Sequence, residues 1–412
     1  MTISRRRFLA ATTSVAAAAY ACGLPGECTA QTNFFPKRHK PVPPAPSFVY
    51  FGTDTAKPGA QGIYLSRFDP ATGKLTSPTV AAASFRPAFF ALGLGHGKRV
   101  LHVCNEGDEH SSAISSLLID PATGALHPLG KVLSGSMGPC YLSLDADGQS
   151  AYSASYSGSG VATYLVEPDG SLSQPVERLD FKDAKFGQHG PNADRQQASH
   201  PHSARLSPDN RFLIVNDLGN DSIVTFPVDV TTARLGAPHV NERRAGSGPR
   251  HIAFHPNGRW VYSVNELDNR IDQLLWSGMR GDHAHGVEPQ ALLTDAGHSI
   301  STVDPGFHGT NTAAEVEISA SGSYLYVSNR GENSLVVFAI DQGNGMLKVL
   351  QRISCGGKTP RQFTFDPTGK WLLCGNQDSD SVTVFACNQG NGGLTGPVQT
   401  LTVPSPMMTL FA

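Results

Sequence analysis

The sequence lacks the features that mark several common protein classes. Only seven cysteines occur in 412 residues, and there is no Cys-x-x-Cys pair and no Cys/His set at zinc-finger spacing. These absences exclude a disulfide scaffold and argue against a structural zinc site. Charge of one sign is also scarce, because 32 Lys and Arg face 34 Asp and Glu. A nearly neutral chain has no long-range field to hold a nucleic acid, so we expect no nucleic-acid partner.

Several catalytic signatures and any convincing amphipathic helix are missing as well. The sequence has no G-x-S-x-G elbow, no G-x-x-x-x-G-K-[ST] loop and no H-E-x-x-H pair. Nucleophile-elbow, P-loop and zinc-protease chemistry are therefore not expected. What the chain does have is 43 Gly and 29 Pro scattered singly between short apolar runs, which indicates many short strands joined by turns.

The N-terminus resembles a twin-arginine (Tat) export signal. Arg5, Arg6 and Arg7 precede Phe-Leu and an Ala-rich stretch that ends at Ala21, too short and too Ala-rich for a membrane anchor. We expect residues 1–30 to be a signal used by the Tat export machinery and residues 31–46 to be a Pro-rich linker. Residues 47–412 would then be a soluble periplasmic domain with no membrane association after cleavage. A cytoplasmic protein with a basic N-terminus is the alternative.

A repeat runs through the rest of the chain. Each copy opens with a strand that usually begins at Pro, makes a turn and ends a second strand at a polar pair, and the copies recur about every 46 to 64 residues. The six openings are Pro87, Pro139, Pro201, Pro249, Ala313 and Pro360. Half a copy remains at each end, an opening strand near Pro406 and a second strand over 48–53. Joined, these halves complete a seventh copy.

Four strands per copy predict an all-β fold, a seven-bladed β-propeller closed by pairing of the N- and C-terminal strands. Closure would remove the open edge of the last sheet. A two-domain β-sandwich is the alternative, but it gives no reason for half a repeat at each end.

Polar residues, most of them ionisable, cluster where the third to sixth copies open and where their second strands end, a place that lines the channel of a propeller. The openings carry His202, Arg250, His251, Glu315 and Arg361, and the second strands end at Asp217, Glu266, Arg330 and Gln377. Arginine forks suit a carboxylate or phosphate, while His and Glu can move protons near neutral pH. Taken singly, each of these residues has an ordinary structural explanation as a solvated strand end or an ion-pair partner.

Two insertions precede copies of this same sector, and we expect both to feed the site because long loops in compact repeats are uncommon unless functional. One covers 186–197. The other has about 40 residues before the fifth copy and contains His283, His285, His298 and His308. Their loop-like spacing favours a solvated loop over a metal site.

These motifs, taken in order, resemble the seven-bladed lactonase family over roughly residues 46–412. The matching segments are 187–192 with Arg195-Gln196, 200–203, 216–219, 248–251, 265–267, 311–315, 326–331 and 359–361. The family includes bacterial 6-phosphogluconolactonase and fungal carboxymuconate cyclase. The resemblance implies hydrolysis of a small-molecule lactone, anionic in our interpretation, with neither metal nor cofactor.

The family's proposed active-site residues, a His, two Arg and a Glu, fall on His202, Arg250, Arg330 and Glu266. Our hypothesis is that the two arginines hold the substrate's anionic group and polarise the lactone carbonyl, while Glu266 activates water and His202 protonates the ring oxygen. The last two roles are exchangeable.

Four further residues are candidate substrate-binding groups: His251, Arg361, Gln377 and Glu315. Two other functions stay open, carboxymuconate cyclase-type formation of a muconolactone and a non-catalytic binding scaffold.

Overall fold

A computed structural model of the protein describes residues 48–95, 97–278 and 293–412, so the expected signal and linker lie outside the described residues. Within this part of the chain the fold is all-β, with seven antiparallel sheets and two 3-10 turns, Ala184–Phe186 and Gln377–Ser379. No helix in it is long and apolar enough to span a bilayer.

The sheets are the blades of a propeller, and their strands follow one another in chain order. The closing blade begins with β1 (Phe48–Thr53), β2 (Gly62–Asp69), β3 (Lys74–Leu75) and β4 (Thr79–Ala83). Blade 1 contains β5 (Pro87–Gly95), β6 (Lys98–Asn105), β7 (Ala113–Ile119) and β8 (Leu126–Leu133). Blade 2 contains β9 (Pro139–Leu144), β10 (Ser150–Ser155), β11 (Gly160–Leu165) and β12 (Glu177–Asp180). Blade 3 contains β13 (Pro201–Leu206), β14 (Phe212–Asp217), β15 (Ser222–Asp229), β16 (Arg234–Leu235) and β17 (His239–Glu242).

The remaining blades follow the same plan. Blade 4 contains β18 (Pro249–Phe254), β19 (Trp260–Asn265), β20 (Arg270–Trp276) and β21 (Leu293–Ser301). Blade 5 contains β22 (Ala313–Ile318), β23 (Tyr324–Asn329), β24 (Ser334–Ile340) and β25 (Leu347–Ser354). Blade 6 contains β26 (Pro360–Phe365), β27 (Trp371–Asn376), β28 (Ser381–Cys387) and β29 (Leu394–Thr402), after which β30 (Pro406–Phe411) returns to the closing blade.

The two ends of the propeller close the ring as predicted. β30 pairs antiparallel with β1, so that Val49 lies opposite Phe411 and Tyr50 opposite Leu410. The inner strands β30, β5, β9, β13, β18, β22 and β26 each contact the next, and β26 contacts β30. The predicted fold is therefore confirmed and the β-sandwich alternative is wrong.

The apolar core lies between neighbouring blades because side chains alternate along each strand. In β1, Phe48 and Tyr50 pack with Leu101 of blade 1. On the opposite face of the strand, Val49 packs with Leu373 of blade 6. A strand buried on both faces reads as a continuous apolar run, which explains why the central strands of the blades are apolar almost throughout.

Candidate functional site

The starts of the inner strands form one end of the central channel, which we call the upper mouth. In β13, Pro201 pairs with Asp217 and Ser203 with Asn216, so His202 is an unpaired extra residue in the strand. The same bulge makes Arg250 extra in β18. Bulges bend a strand and re-aim a side chain, and they are frequent beside active sites. The second residue of each strand, His202 in β13 and Arg250 in β18, thereby has its side chain at the upper mouth.

Not every opening carries a charge. The equivalent positions in β5, β9 and β30 hold Ala88, Cys140 and Met407, which line a small cavity together with Arg250 and Arg361. One side of the upper mouth is therefore apolar and the other side is charged. This asymmetry matches the contiguous charged sector seen in the sequence.

Glu266, directly after β19, is the centre of the charged side. Its Oε2 accepts from Nε of Arg250 at 3.0 Å and lies 2.7 Å from Nη2 of Arg330. Its Oε1 accepts from Nη2 of Arg195. Burial alone raises the pKa of Glu266, but the charges of Arg330, Arg250 and Arg195 outweigh burial and lower the pKa to about 2. Glu266 is therefore a carboxylate at any physiological pH.

His202 lies beside this carboxylate, with Nε2 4.0 Å from Oε2 of Glu266. Its other ring nitrogen, Nδ1, is buried and has no hydrogen-bond partner within the described part of the chain. Burial, followed by the charge of Arg250 and other neighbouring cations, lowers the pKa of His202 well below 6.5. The imidazole is consequently neutral at neutral pH, with a nitrogen lone pair available to take a proton.

His251 and Glu315 form a buried pair on the opposite side of Arg250. Nδ1 of His251 lies 2.9 Å from Oε1 of Glu315, and Nε2 lies 3.4 Å from Nη1 of Arg250. Burial lowers the pKa of His251. Burial alone would raise the pKa of Glu315, but the interaction with His251 outweighs burial, so the pKa of Glu315 is lowered. Because an ionised carboxylate only accepts, Nδ1 carries the proton and Nε2 accepts from Arg250. The ring packs edge-on against His202, with centroids 5.2 Å apart.

The arginines differ in how many hydrogen bonds and ion pairs their guanidinium groups make within the protein. Arg250 is buried, and besides Glu266 it donates to the carbonyl oxygen of Ala314 at 2.6 Å. Arg330 retains an Nε without a partner in the described part of the chain, and Arg361 makes no hydrogen bond or ion pair there. Arg330 and Arg361 are thus the guanidinium groups best placed to meet a ligand.

Gln377 does not join the cluster. It begins a 3-10 turn after β27, and its backbone N–H donates to the carbonyl oxygen of Thr359. Its half-buried side chain makes no hydrogen bond or ion pair with any described residue. Arg361 at least lines the small cavity beside Arg250, His251 and Glu315, whereas Gln377 does not line that cavity.

Arg195 is a functional candidate that was not among the predicted site residues. It lies in the first insertion, and its Nη2 donates to Glu266 and to the hydroxyl of Tyr156 at 3.2 Å. The ring of Tyr156 stacks on His200, with centroids 4.2 Å apart. The sequence signal for Arg195 was its place in a long loop that precedes the charged sector and in a family motif. This contact places the first insertion against Glu266.

Asp217 at the end of β14 holds the end of that insertion in place. Its Oδ1 accepts from the backbone N–H groups of His200 at 2.7 Å and Gly219 at 3.0 Å, and its Oδ2 accepts from the Ser199 hydroxyl at 2.5 Å. A carboxylate surrounded by such donors pins the loop to the blade. Asp217 is therefore a scaffold for the site and does not line it.

The second insertion differs from the expectation of one long loop. Its residues 293–301 form β21, the outermost strand of blade 4, because their alternation pairs with β20. His298 belongs to this strand, and its Nε2 accepts from the N–H of Leu347 at 3.1 Å, away from the upper mouth. His283 and His285 lie outside the described residues. Among the described residues, no group of three or more His, Cys, Asp or Glu is arranged to hold a metal ion.

Comparisons with known proteins agree with this architecture. Residues 48–411 match the family model for the lactonase 7-bladed β-propeller. A 6-phosphogluconolactonase of Bacillus subtilis (strain 168) is 30% identical over 318 residues, which are 77% of this chain and 84% of that protein. The solved periplasmic gluconolactonase of Pseudomonas aeruginosa has a TM-score of 0.77 and 30% identity, covering 88% of this chain and 98% of its own. A solved protein from Lactobacillus plantarum has a TM-score of 0.78 and 30% identity, covering 89% and 99%.

A closed propeller with these relatives defines a hydrolase of the carboxylic ester class, a lactonase. The chain belongs to the family of seven-bladed β-propeller lactonases, and it is similar to members named 6-phosphogluconolactonase.

Proposed function

We propose that the protein hydrolyses a sugar-type lactone at the upper mouth by metal-independent acid–base catalysis, with a preference for a lactone that carries an anionic substituent. The observation that carries this proposal is the buried carboxylate of Glu266, which holds three guanidinium groups beside a neutral imidazole at 4.0 Å. Arg361 lies beside Arg250 and Arg330, so four arginines outnumber the single carboxylate of Glu266. The surplus positive charge suits a carbonyl oxygen that becomes negative during the reaction.

His202 is the general base in this mechanism. Water attacks the lactone carbonyl carbon while the imidazole takes one of its protons, and the carbonyl oxygen becomes an oxyanion. As the oxyanion collapses, the ring C–O bond breaks and the imidazolium returns the proton to the departing ring oxygen. The product is one hydroxy acid, and the enzyme returns to its starting state.

Glu266 acts here by charge and not by proton transfer. A carboxylate whose pKa is about 2 and whose oxygens are all engaged by arginines is a poor base at neutral pH. It remains ionised throughout and stabilises the imidazolium form of His202. Of the two exchangeable roles, the proposal therefore gives the base to His202.

The arginines divide into supporting and binding groups. Arg250 is committed to Glu266 and Ala314 and so fixes the carboxylate and the β22 backbone. Arg330 and Arg361 hold the anionic group of the substrate and polarise its carbonyl.

We further propose that residues 1–30 direct export and that the enzyme acts in the periplasm. This proposal is supported by Arg5, Arg6 and Arg7 and by the likeness to a periplasmic gluconolactonase. Because 6-phosphogluconolactone is generated in the cytoplasm, an exported enzyme would act on an unphosphorylated aldonolactone or on a lactone with a carboxylate. Replacing the three arginines by lysine is expected to retain the protein in the cytoplasm. Undiminished periplasmic protein in this variant would contradict the export proposal.

The activity is tested by following lactone opening with glucono-δ-lactone, 6-phosphogluconolactone and a carboxylated muconolactone, with spontaneous hydrolysis subtracted. We expect at least one lactone to open about 10²-fold faster than in buffer or faster, without loss in EDTA. His202→Ala is expected to abolish this excess, whereas His239→Ala on the outer strand β17 of the same blade retains it. Cyclisation of carboxymuconate without lactone hydrolysis, or binding without turnover, would overturn the proposal.

A further inference from the structure

The end of the channel opposite the upper mouth contains a larger cavity. It has a volume of about 560 Å³ and is lined by residues of all seven inner strands, including Phe89, Tyr141, Arg205, Phe254, Glu317 and Thr364. We call this end the lower mouth. Its volume lies within the range of about 300 to 1,000 Å³ that is typical of small-molecule sites. None of these six residues takes part in the mechanism proposed above.

The lower mouth combines an aromatic wall with a few polar groups. The rings of Phe89 and Tyr141 lie with centroids 4.4 Å apart and planes 30° apart, so they form one continuous apolar surface, and Phe254 lines the same cavity. Polar groups project from other inner strands, the guanidinium of Arg205, the carboxyl of Glu317 and the hydroxyl of Thr364. The cavity lining is thus about half apolar and half polar, which suits a ligand that has both an apolar face and hydrogen-bonding groups.

The polar groups at the lower mouth suit hydroxyl groups better than a charge. Nη1 of Arg205 donates to the carbonyl oxygen of Ile252 at 3.0 Å, which fixes the guanidinium in the wall. Burial, followed by the charge of Glu315, raises the pKa of Glu317 to about 8, so its carboxyl can both donate and accept at neutral pH. The ionised Glu315, which also lines this cavity, balances the charge of Arg205. The cavity thus has no surplus charge of either sign, in contrast to the upper mouth.

We propose that the lower mouth is a second ligand site, one that binds a neutral saccharide. A sugar ring presents an apolar face that can pack on Phe89 and Tyr141, and its hydroxyls exchange hydrogen bonds with Arg205, Glu317 and Thr364. A flat protein partner could not reach these groups, because they lie inside the channel. The site is separate from the lactonase chemistry and does not depend on it.

Titration calorimetry of the full-length protein with D-glucose, D-sorbitol and sodium gluconate tests this proposal. We expect D-glucose to bind with a Kd of about 1 mM, sorbitol more weakly because it has no ring face, and gluconate at least about ten-fold more weakly at this site. Glu317→Leu and Thr364→Val each remove hydrogen-bonding groups and should raise the glucose Kd about ten-fold. Thr364→Val keeps the side-chain shape and so provides the test if Glu317→Leu fails to fold.

Two controls separate the lower mouth from the upper mouth and from the surface. Arg330→Met changes only the upper mouth, and Glu242→Leu changes the outer strand β17; both should leave glucose binding unchanged. The proposal is overturned by the absence of glucose binding up to about 50 mM, a concentration at which a Kd of about 1 mM gives near saturation. It is equally overturned by glucose binding that Arg330→Met abolishes, or that Thr364→Val leaves intact.

Discussion

The Oε2 atom of Glu266 lies 4.0 Å from Nε2 of His202, and that same oxygen also holds the guanidinium groups of Arg250 and Arg330. The two groups are therefore unequal partners in proton transfer. Arg330, Arg250 and Arg195 keep Glu266 ionised, whereas burial, followed by the charge of Arg250 and other neighbouring cations, keeps His202 neutral. Of the two groups, the neutral imidazole is the one that suits the role of general base in the proposed mechanism.

Replacing Glu266 by Gln should shift the acid limb of the pH–rate profile. In the wild-type enzyme we expect kcat/KM to fall with decreasing pH only below about 6.5, as His202 becomes protonated. Without the Glu266 charge, the remaining arginines lower the pKa of His202 further, so the limb moves to lower pH. We also expect kcat to fall about 10²-fold, because the imidazolium loses its counter-charge.

The profile is measured between pH 3 and 9 with spontaneous opening subtracted. Glu177→Gln, which breaks an ion pair with Arg234 on the outside of the propeller, is the matched control and should leave the profile unchanged. An acid limb that is unmoved in Glu266→Gln would mean that Glu266 has no electrostatic link to the catalytic base.

Arg361→Met should weaken substrate binding more than it slows the chemical step. This guanidinium makes no ion pair among the described residues, so its removal leaves no buried carboxylate unpaired. We expect KM for a lactone with a carboxylate to rise about ten-fold, with kcat changed less than about three-fold. Glucono-δ-lactone, which has no anionic group, should respond less. Arg352→Met, on the outer strand β25, serves as the control, and equal KM values in both variants would remove Arg361 from the binding site.

Most of the fold could be predicted from the sequence because the blades repeat. Pro87, Pro139 and Pro201 begin inner strands at the positions expected, since a strand's first residue tolerates the missing N–H. The sequence predicts that His202 and Glu266 lie close together because strand register repeats from blade to blade and brings equivalent positions to one end of the channel, and in the structure the two residues are neighbours.

The other parts of the site could not be predicted, because they depend on local geometry that does not repeat from blade to blade. Arg195 reaches Glu266 from an irregular loop, and no repeat indicates where such a side chain lies. Gln377 has the right position in the repeat, but a 3-10 turn follows β27 and separates it from the cluster. Bulges such as the one at His202 likewise become visible only from the pairing of neighbouring strands.

Arg195→Met should reduce kcat/KM about ten-fold, because Glu266 loses one of three guanidinium partners and Tyr156 loses a donor. Arg195→Lys keeps the charge without the planar fork and should recover only part of the activity. Lys185→Met, directly before this insertion, where Lys185 pairs with Asp183 in solvent, provides the control. Full activity in Arg195→Met, measured with saturating and limiting lactone, would show that this contact is structural.

His102 should make the protein less stable in mild acid. The side chain is fully buried, Nδ1 lies 3.0 Å from the Ser116 hydroxyl, and burial lowers its pKa from 6.5 to about 4. An unfolded chain therefore binds a proton below about pH 6.5 that the folded protein takes up only near pH 4. The free energy of unfolding should fall by about 3 kcal/mol across this window.

Urea unfolding of the wild type and of His102→Gln at pH 7.5, 6, 5 and 4.5 isolates this contribution. Other buried histidines act in both proteins, so the difference between the two curves reports His102 alone. The stability advantage of the wild type should shrink as the pH falls from 6.5 towards 4. Parallel curves would contradict the lowered pKa.

Adding one methyl group at Gly52 should destabilise the packing between the closing blade and blade 1. This residue is the penultimate position of β1, and a Cβ there would lie 2.2 Å from the carbonyl oxygen of Pro87 in the neighbouring blade. Gly375 has the same position in β27, yet its Cβ would meet nothing closer than 3.5 Å. Gly52→Ala should therefore cost about 1 to 3 kcal/mol through overpacking, whereas Gly375→Ala should change stability by less than about 1 kcal/mol. Urea unfolding of both variants measures the contrast, and equal stabilities would mean that the interface between the closing blade and blade 1 is looser than its atomic contacts indicate.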